Sequence, residues 1–161
     1  MGLDPETLER LRRGLRLRLS PTGEFRFDDG PVTHPRVIEA LRHGLDATDE
    51  GEPIVRLGEQ WAYLIVEDCV LRATAVWRER DQLRLRLDDD RELPLPVKTL
   101  WEEPGHGLRC EAPSRTTGHP LSVRFTNRAQ MQLAEWIEDV GGRPHLCVGD
   151  LDLEIVDHAP A

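Results

Sequence analysis

The apolar positions of this chain fall mostly into short alternating runs separated by turn chemistry, and the spacing becomes helical in only three places. Leu8, Leu11 and Leu15 follow Asp4-Pro5-Glu6, a carboxylate N-cap with proline at the first helical position, which predicts a short N-terminal helix. Val37, Ile38, Leu41 and Leu45 share one face of a second helix over residues 34–45, with Thr33 as its cap. Ala129, Leu133, Trp136, Ile137 and Val140 mark a third over 127–140, capped by Thr126 or Asn127 and stopped by Gly141-Gly142. Elsewhere the period is two. Residues 15–19 pair with Phe25 and Phe27 across Ser20-Pro21-Thr22-Gly23, and Asp28-Asp29-Gly30-Pro31 breaks that hairpin. Residues 54–57 turn at Gly58 into an arm that starts at Trp61 and runs on to Trp77. Residues 83–87 turn through Asp88-Asp89-Asp90-Arg91 to face Leu93, Leu95 and Val97; Pro94 and Pro96 place that arm at a sheet edge, because proline donates no ladder hydrogen bond. Leu121, Val123 and Phe125 form a strand, and residues 145–148 pair with 151–156.

Two of these stretches repeat. Leu15-Arg16-Leu17-Arg18-Leu19 recurs as Leu83-Arg84-Leu85-Arg86-Leu87, and Pro53-Ile54-Val55-Arg56-Leu57-Gly58-Glu59 as Pro144-His145-Leu146-Cys147-Val148-Gly149-Asp150. The order is the same in both halves, as after an internal duplication. The expected fold is α+β: two repeated hairpin-helix-hairpin modules with antiparallel sheets, sharing an interface because neither is large enough to bury a generous core. The first module is residues 1–80 with the short N-terminal helix. The second is 81–161, with a Pro/Gly-rich inserted loop at 101–118 that holds one short strand around 108–110.

Composition narrows the function classes. The 161 residues carry 39% apolar side chains, enough for a packed interior, and a formal net charge of -9. That charge argues against nucleic acid, whose binding rests on phosphate neutralisation by clustered Lys and Arg, and against anionic membrane surfaces. Lys98 is the only lysine among the basic residues. Cys69, Cys110 and Cys147 are odd in number and lack metal or disulfide spacing. No apolar run reaches the roughly 18 residues of a membrane span, and residues 1–13 are too charged for a secretory signal, so a soluble cytoplasmic protein is expected.

Candidate chemistry is sparse. No serine or cysteine sits in a nucleophile elbow, and there is no phosphate loop or dinucleotide fingerprint. No catalytic residue, cofactor or metal is assigned. His145 and Cys147 share a strand face but make only two of the three or four ligands zinc needs, unless Cys69 or Cys110 completes the set. Asp88-Asp89-Asp90 lacks EF-hand spacing and reads as a solvated hairpin tip. Arg16 and Arg18, with Arg84 and Arg86, alternate on strand faces; they suit either an anion-binding strip or a polar outer face balanced by acidic neighbours. Trp101 lies in the inserted loop and is a contact candidate. Glu67-Asp68 lies within an apolar run, where Asp68 either faces a ligand cleft or pairs within the sheet.

The segment Gly23-Glu24-Phe25-Arg26-Phe27-Asp28-Asp29-Gly30-Pro31-Val32, the tripeptide Val66-Glu67-Asp68 and the strand Leu121-Ser122-Val123-Arg124-Phe125 together resemble domain-of-unknown-function family 1285 of bacteria. Cys69-Val70 replaces the family's Ala-Pro pair, and His34 stands where arginine is usual. The resemblance implies an α+β fold with repeated motifs, and a role in signal transduction has been suggested for the family. The expected function is a non-enzymatic binding or regulatory module acting on a small-molecule ligand or a protein partner, through Trp101, Asp68, Glu67, His34 and Arg124. The alternative is an enzyme of unassigned chemistry using Asp68 and a histidine, His34 or His106, as acid and base.

Overall fold

A computed structural model describes residues 4–28 and 30–160; Asp29 of the expected hairpin break lies outside the described residues. The fold is α+β, and the chain divides into two compact units: Met1–Val70 with Pro113–Leu121, and Leu71–Ala112 with Ser122–Ala161.

The first unit begins with α1 (Pro5–Gly14), whose cap forms as its sequence demands: Asp4 accepts from the Thr7 N–H at 3.0 Å and from its hydroxyl at 2.6 Å. Strands β1 (Leu17–Leu19), β2 (Phe25–Phe27) and β3 (Gly30–Pro31) form a meander. Helix α2 (Pro35–His43) follows, and then a second meander, β4 (Leu45–Ala47), β5 (Pro53–Leu57) and β6 (Gln60–Val66). The two meanders join where β1 runs parallel to β6, giving the order β3-β2-β1-β6-β5-β4. Leu17, Leu19, Phe25, Val55 and Leu64 are buried on one face, with Leu41 of α2. Gly44 ends α2 because β5 passes so closely that a Cβ there would run into the Arg56 carbonyl.

The second unit pairs β7 (Leu71–Glu79) with β8 (Gln82–Leu87) and β9 (Glu92–Pro94), and adds β10 (Trp101–Glu103), β11 (Gly107–Pro113) and β12 (Pro120–Phe125). Its sheet order is β10-β11-β12-β7-β8-β9, again with a central parallel pair, β12 with β7. β9, with Pro94, is an edge strand, as the proline implies, and β10 is the other. Helix α3 (Asn127–Ala134) leads into a three-stranded meander, β13 (Ile137–Val140), β14 (Arg143–Val148) and β15 (Leu151–Glu154). Side-chain amides of α3 fix it to the sheet: Gln132 accepts from the Val76 N–H at 2.8 Å and Gln130 from the Leu108 N–H at 3.0 Å.

Several expectations need correction. The large sheets are mixed rather than antiparallel, since each is centred on a parallel pair. The arm expected to run from Trp61 to Trp77 breaks after Val66: the Glu67 N–H bonds the Leu19 carbonyl at 3.1 Å, and a new strand starts at Leu71. The third helix stops at Ala134, not residue 140. Ile137 and Val140 extend the helical period, but cross-strand pairing with Leu146 and Arg143 outweighs it, and Gly141-Gly142 turn the hairpin with positive φ. The 101–118 stretch carries two strands, β10 and β11, rather than one. The Asp88–Asp90 turn is not a solvated tip: Asp89 is fully buried and pairs with Arg91 at 2.8 Å, while Asp88 meets buried Arg72 at 3.3 Å.

In the first unit the buried acid is Asp46, 2% exposed. It accepts from the Ala47 N–H at 2.9 Å, the Arg56 Nε at 3.2 Å, the Thr116 N–H at 3.2 Å and the Thr116 hydroxyl. Burial alone would raise its pKa, but the bonds from Thr116, Ala47 and Arg56 together hold it below the usual aspartate range. A depressed folded pKa gives stability that is complete above the unfolded value, about 4, and is lost as pH falls through the folded one. Asp46→Asn should therefore lower stability by about 1.5–3 kcal/mol at pH 7. The gap between the urea midpoints of variant and parent should close on acidification below about pH 4; a gap of constant size from pH 7 to pH 3 would refute the account.

Candidate functional site

Side chains on a strand alternate between its two faces, so the Leu-Arg repeat of β1 serves two different surfaces. On the apolar side Leu17, Phe27, Val55 and Ala62 form the floor of a cleft of about 410 Å3, walled by Leu8, Leu11 and Leu15 on the α1 side and by Leu41 of α2. Leu57, Gln60, Trp61 and Arg12 complete the lining. Of these, Leu11, Leu15, Phe27 and Leu57 are exposed by 41–54%, and no residue of α1 is buried. Volumes of about 300–1,000 Å3 with mostly apolar walls and few polar groups are usual for small-ligand sites.

Cationic side chains tie α1 to the sheet. The Arg12 guanidinium lies 3.9 Å from the centre of the Trp61 ring, and Arg13 lies 3.9 Å from that of Tyr63. Trp61 and Tyr63 pack edge to face with centroids 5.2 Å apart. Exposed cation–π contacts contribute about 0.5–1 kcal/mol each, which suits a helix held against the sheet without being buried in it. Arg13 also pairs with Glu9 at 3.1 Å and Glu52 at 3.5 Å. Among the described residues the Arg12 guanidinium makes no hydrogen bond, so its in-plane donors remain available at the cleft.

On the opposite face Arg16, Arg18 and Arg26 line a polar pocket of about 360 Å3 together with Asp28 and Glu67. Hairpin register sets Arg18 directly across from Arg26, and parallel pairing sets Arg18 beside Ile65, two residues before Glu67. Glu67, a candidate from sequence, is thus an exposed rim residue of this pocket.

The other candidates fall elsewhere. Asp68 is half-buried in the bend between β6 and β7, with the Cys69 thiol 3.9 Å from its carboxylate. His34 caps α2: its Nδ1 accepts from the Arg36 N–H at 3.3 Å, the position expected for Thr33. Trp101 is half-buried in β10, where the neighbouring Glu102 N–H bonds the Val156 carbonyl at 2.8 Å. Arg124 sits on β12 in register with Arg72. His106 is in the turn between β10 and β11. The structure brings together Glu67 and Asp68 in the first unit, and Trp101 and Arg124 belong to the second.

His145 and Cys147 lie on β14 with Asp152 of β15: His145 Nδ1 is 2.6 Å from the Asp152 carboxylate and Cys147 Sγ is 3.9 Å from it. No group of three His, Cys, Asp or Glu able to hold a metal occurs among the described residues. None of their helices is long and apolar enough to cross a membrane.

No family model and no curated protein matches the chain. Among solved structures it is similar to a DUF1285 family protein from Silicibacter pomeroyi DSS-3, with a TM-score of 0.60 at 14% identity over 88% of this chain and 79% of that one. It is also similar to a DUF1285 family protein from Shewanella baltica OS155, with a TM-score of 0.55 at 11% identity over 74% of this chain and 90% of that one. The fold is that of a DUF1285 protein. At such identities the likeness is one of fold, so the residues of any site in this DUF1285-like chain have to be argued from its own geometry.

Sequence reasoning missed the cleft and Arg26. The cleft had one signal: an amphipathic α1 whose leucine face, ending at Leu15, is followed at once by a strand with leucine at every second position. Arg26 needed the hairpin register, which aligns it with Arg18.

Cys147 offers a test of the β14–β15 surface. Burial, then the carboxylates of Asp152 and Glu138, push its thiol above the ordinary value. Reaction follows the thiolate, so iodoacetamide should label Cys147 more slowly at pH 7.5 than an unperturbed cysteine peptide. Asp152→Asn should speed the labelling. Mass spectrometry of the alkylated peptide reads both, and a rate equal to or above that of the peptide would contradict this assignment.

Proposed function

We propose that the chain is a non-enzymatic ligand-binding module whose first unit takes up a small apolar molecule with an anionic end, and that it serves regulation or signal transduction. The observation that carries this reading is the cleft between α1 and the sheet: its lining is nearly all apolar, and Leu11 and Leu15 remain half exposed at its edge. Exposed leucines on the wall of a cavity gain burial when the cavity fills, at about 25 cal/mol per Å2 of apolar surface removed from water. Arg12 supplies the complementary charge. Stacked on Trp61, its guanidinium is oriented while its edge is left for a carboxylate or similar group.

The regulatory part follows from how α1 is held. A helix with no buried residue, fixed by cation–π contacts and one face of leucines, sits at the low-stability end of the fold. A ligand that covers Leu8, Leu11 and Leu15 stabilises the docked helix over the undocked one, and that difference is a signal a partner can read.

Decanoate is a suitable probe, with decanol as its uncharged counterpart. Titration calorimetry should show saturable decanoate binding, and hydrogen exchange should slow in α1 on binding. Leu11→Asp should abolish binding of both probes, with the thermal midpoint of the variant as the check that the rest of the chain stays folded. Arg12→Gln should weaken decanoate about tenfold, the loss of one charge-assisted bond, and leave decanol unchanged. Non-saturable uptake, or affinity indifferent to Leu11→Asp, would sink the cleft as the binding site.

A further inference from the structure

The arginine pocket on the other face of the sheet is a separate feature, and three observations make it more than a polar surface. First, hairpin pairing sets Arg18 opposite Arg26, and Arg16 lines the same pocket. Like charges directly opposite on neighbouring strands repel and destabilise the pair. Secondly, among the described residues no carboxylate forms an ion pair with any of the three guanidiniums, although Asp28 and Glu67 line the same pocket. The surface arginines of the other Leu-Arg strip are matched, Arg84 with Glu79 and Arg86 with Glu92, as is Arg143 with Glu154, whereas Arg12 has no such partner among the described residues. The strip Arg84–Arg86, which repeats Arg16–Arg18 in sequence, is therefore neutralised where the Arg16–Arg18 strip is not. Thirdly, two of the pocket residues hold left-handed backbone, Arg16 at φ 50° and Asp28 at φ 48°. Aspartate is among the residues enriched there, but arginine has no such preference. Arg80 and Asp90 share this backbone inside hairpin turns, whereas Arg16 and Asp28 hold it on either side of the Leu17–Phe27 pair, at the open end of β1 and β2.

We propose that Arg16, Arg18 and Arg26 bind the phosphate group of a small phosphate monoester, whose hydroxyl or amino groups donate to Asp28 and Glu67. Guanidinium forks match tetrahedral oxyanions through paired N–H donors, and three of them around one pocket supply more donors than a carboxylate can accept. The two acids at the rim weaken a bare anion but accept hydrogen bonds from the rest of an ester, so they favour a phosphorylated polyol or nucleoside over free phosphate. This site goes beyond the apolar cleft: Leu17 and Phe27 face one, while Arg16, Arg18, Arg26 and Asp28 face the other.

Inorganic phosphate and ribose 5-phosphate are the probes, titrated into the full chain at low ionic strength with chloride matched, and followed by calorimetry and by the amide resonances of β1 and β2. Saturable binding of both is expected, with ribose 5-phosphate the tighter. Arg26→Gln, at an exposed position, should weaken both about tenfold or more, the cost of a lost charge-assisted contact. Glu67→Gln should strengthen inorganic phosphate and narrow the difference between the two probes. Thermal unfolding without phosphate gives an independent reading: Arg26→Gln should raise the midpoint by relieving repulsion with Arg18, and Arg16→Gly should raise it by releasing the left-handed backbone while weakening phosphate. Decanoate binding should be unaltered in Arg26→Gln and Glu67→Gln, so failure here and failure of the apolar cleft are distinguishable. Absence of saturable binding for both probes, unchanged affinity in Arg26→Gln, or ribose 5-phosphate no tighter than phosphate would each overturn the proposal.

Discussion

The parallel pairing of β1 with β6 fixes almost everything else about the first unit. Parallel neighbours cannot be joined by a tight turn, because the chain must return to the same end of the sheet before starting again. Here the return takes β2, β3, α2, β4 and β5. Meanders on either side account for the sheet order β3-β2-β1-β6-β5-β4, and the return itself supplies the helix whose Leu41 closes the buried face. The second large sheet meets the same constraint at β7 and β12, with β8 to β11 as its crossover. In both sheets the central strands are the parallel ones; β3 and β9, with Pro31 and Pro94, lie at edges, and the prolines of the inner strands β5, β11 and β12 stand at strand ends, where a missing N–H costs least.

Buried charge is arranged differently in the two units. Asp46 gathers four donors, two of them from Thr116, 70 residues away in sequence. The carboxylate thus recruits Pro113–Leu121 into the first unit, and His119 adds a contact to the Asp49 carbonyl. In the second unit the turn after β8 folds Asp88 and Asp89 inward against Arg72 and Arg91. Leaving a buried carboxylate without such partners would cost several kcal/mol, so these contacts determine the conformation of the segments that carry them.

Local chemistry was legible in the sequence to the extent that it decides structure alone. Asp4-Pro5 fixed the start of α1, and Gly58-Glu59 and Gly149-Asp150 mark equivalent turns, after β5 and after β14. Competition between local and long-range terms was not legible. Ile137 and Val140 fit a helical period as well as a strand; only the partner strand β14 distinguishes them. The acids at 88–90 look like a solvated tip until Arg72, on another strand, is brought beside them. Glu67 was readable as a polar residue interrupting an apolar run, but not as a neighbour of Arg18, because that proximity depends on the parallel register of β1 and β6. Period-two reasoning divides a strand into two faces correctly, yet assigns neither face to a partner.

The net charge of -9 does not conflict with an oxyanion site on the arginine face. The expectation against nucleic acid rests on a polyanion needing many contacts spread over a long basic surface. A single phosphate samples only its surroundings, since charges beyond a Debye length of about 8 Å are largely screened at physiological ionic strength. The charges that line the pocket are three arginines and the carboxylates of Asp28 and Glu67. Arg18 on β1 and Arg26 on β2 alternate with the apolar residues of their strands, and Arg16 just precedes β1, so one hairpin lines an apolar cleft with Leu17 and Phe27 and a cationic pocket with the arginines. The same Leu-Arg alternation in β8 divides that strand into two faces in the same way, but there the arginines are matched by Glu79 and Glu92, so alternation alone does not determine the charge a face presents.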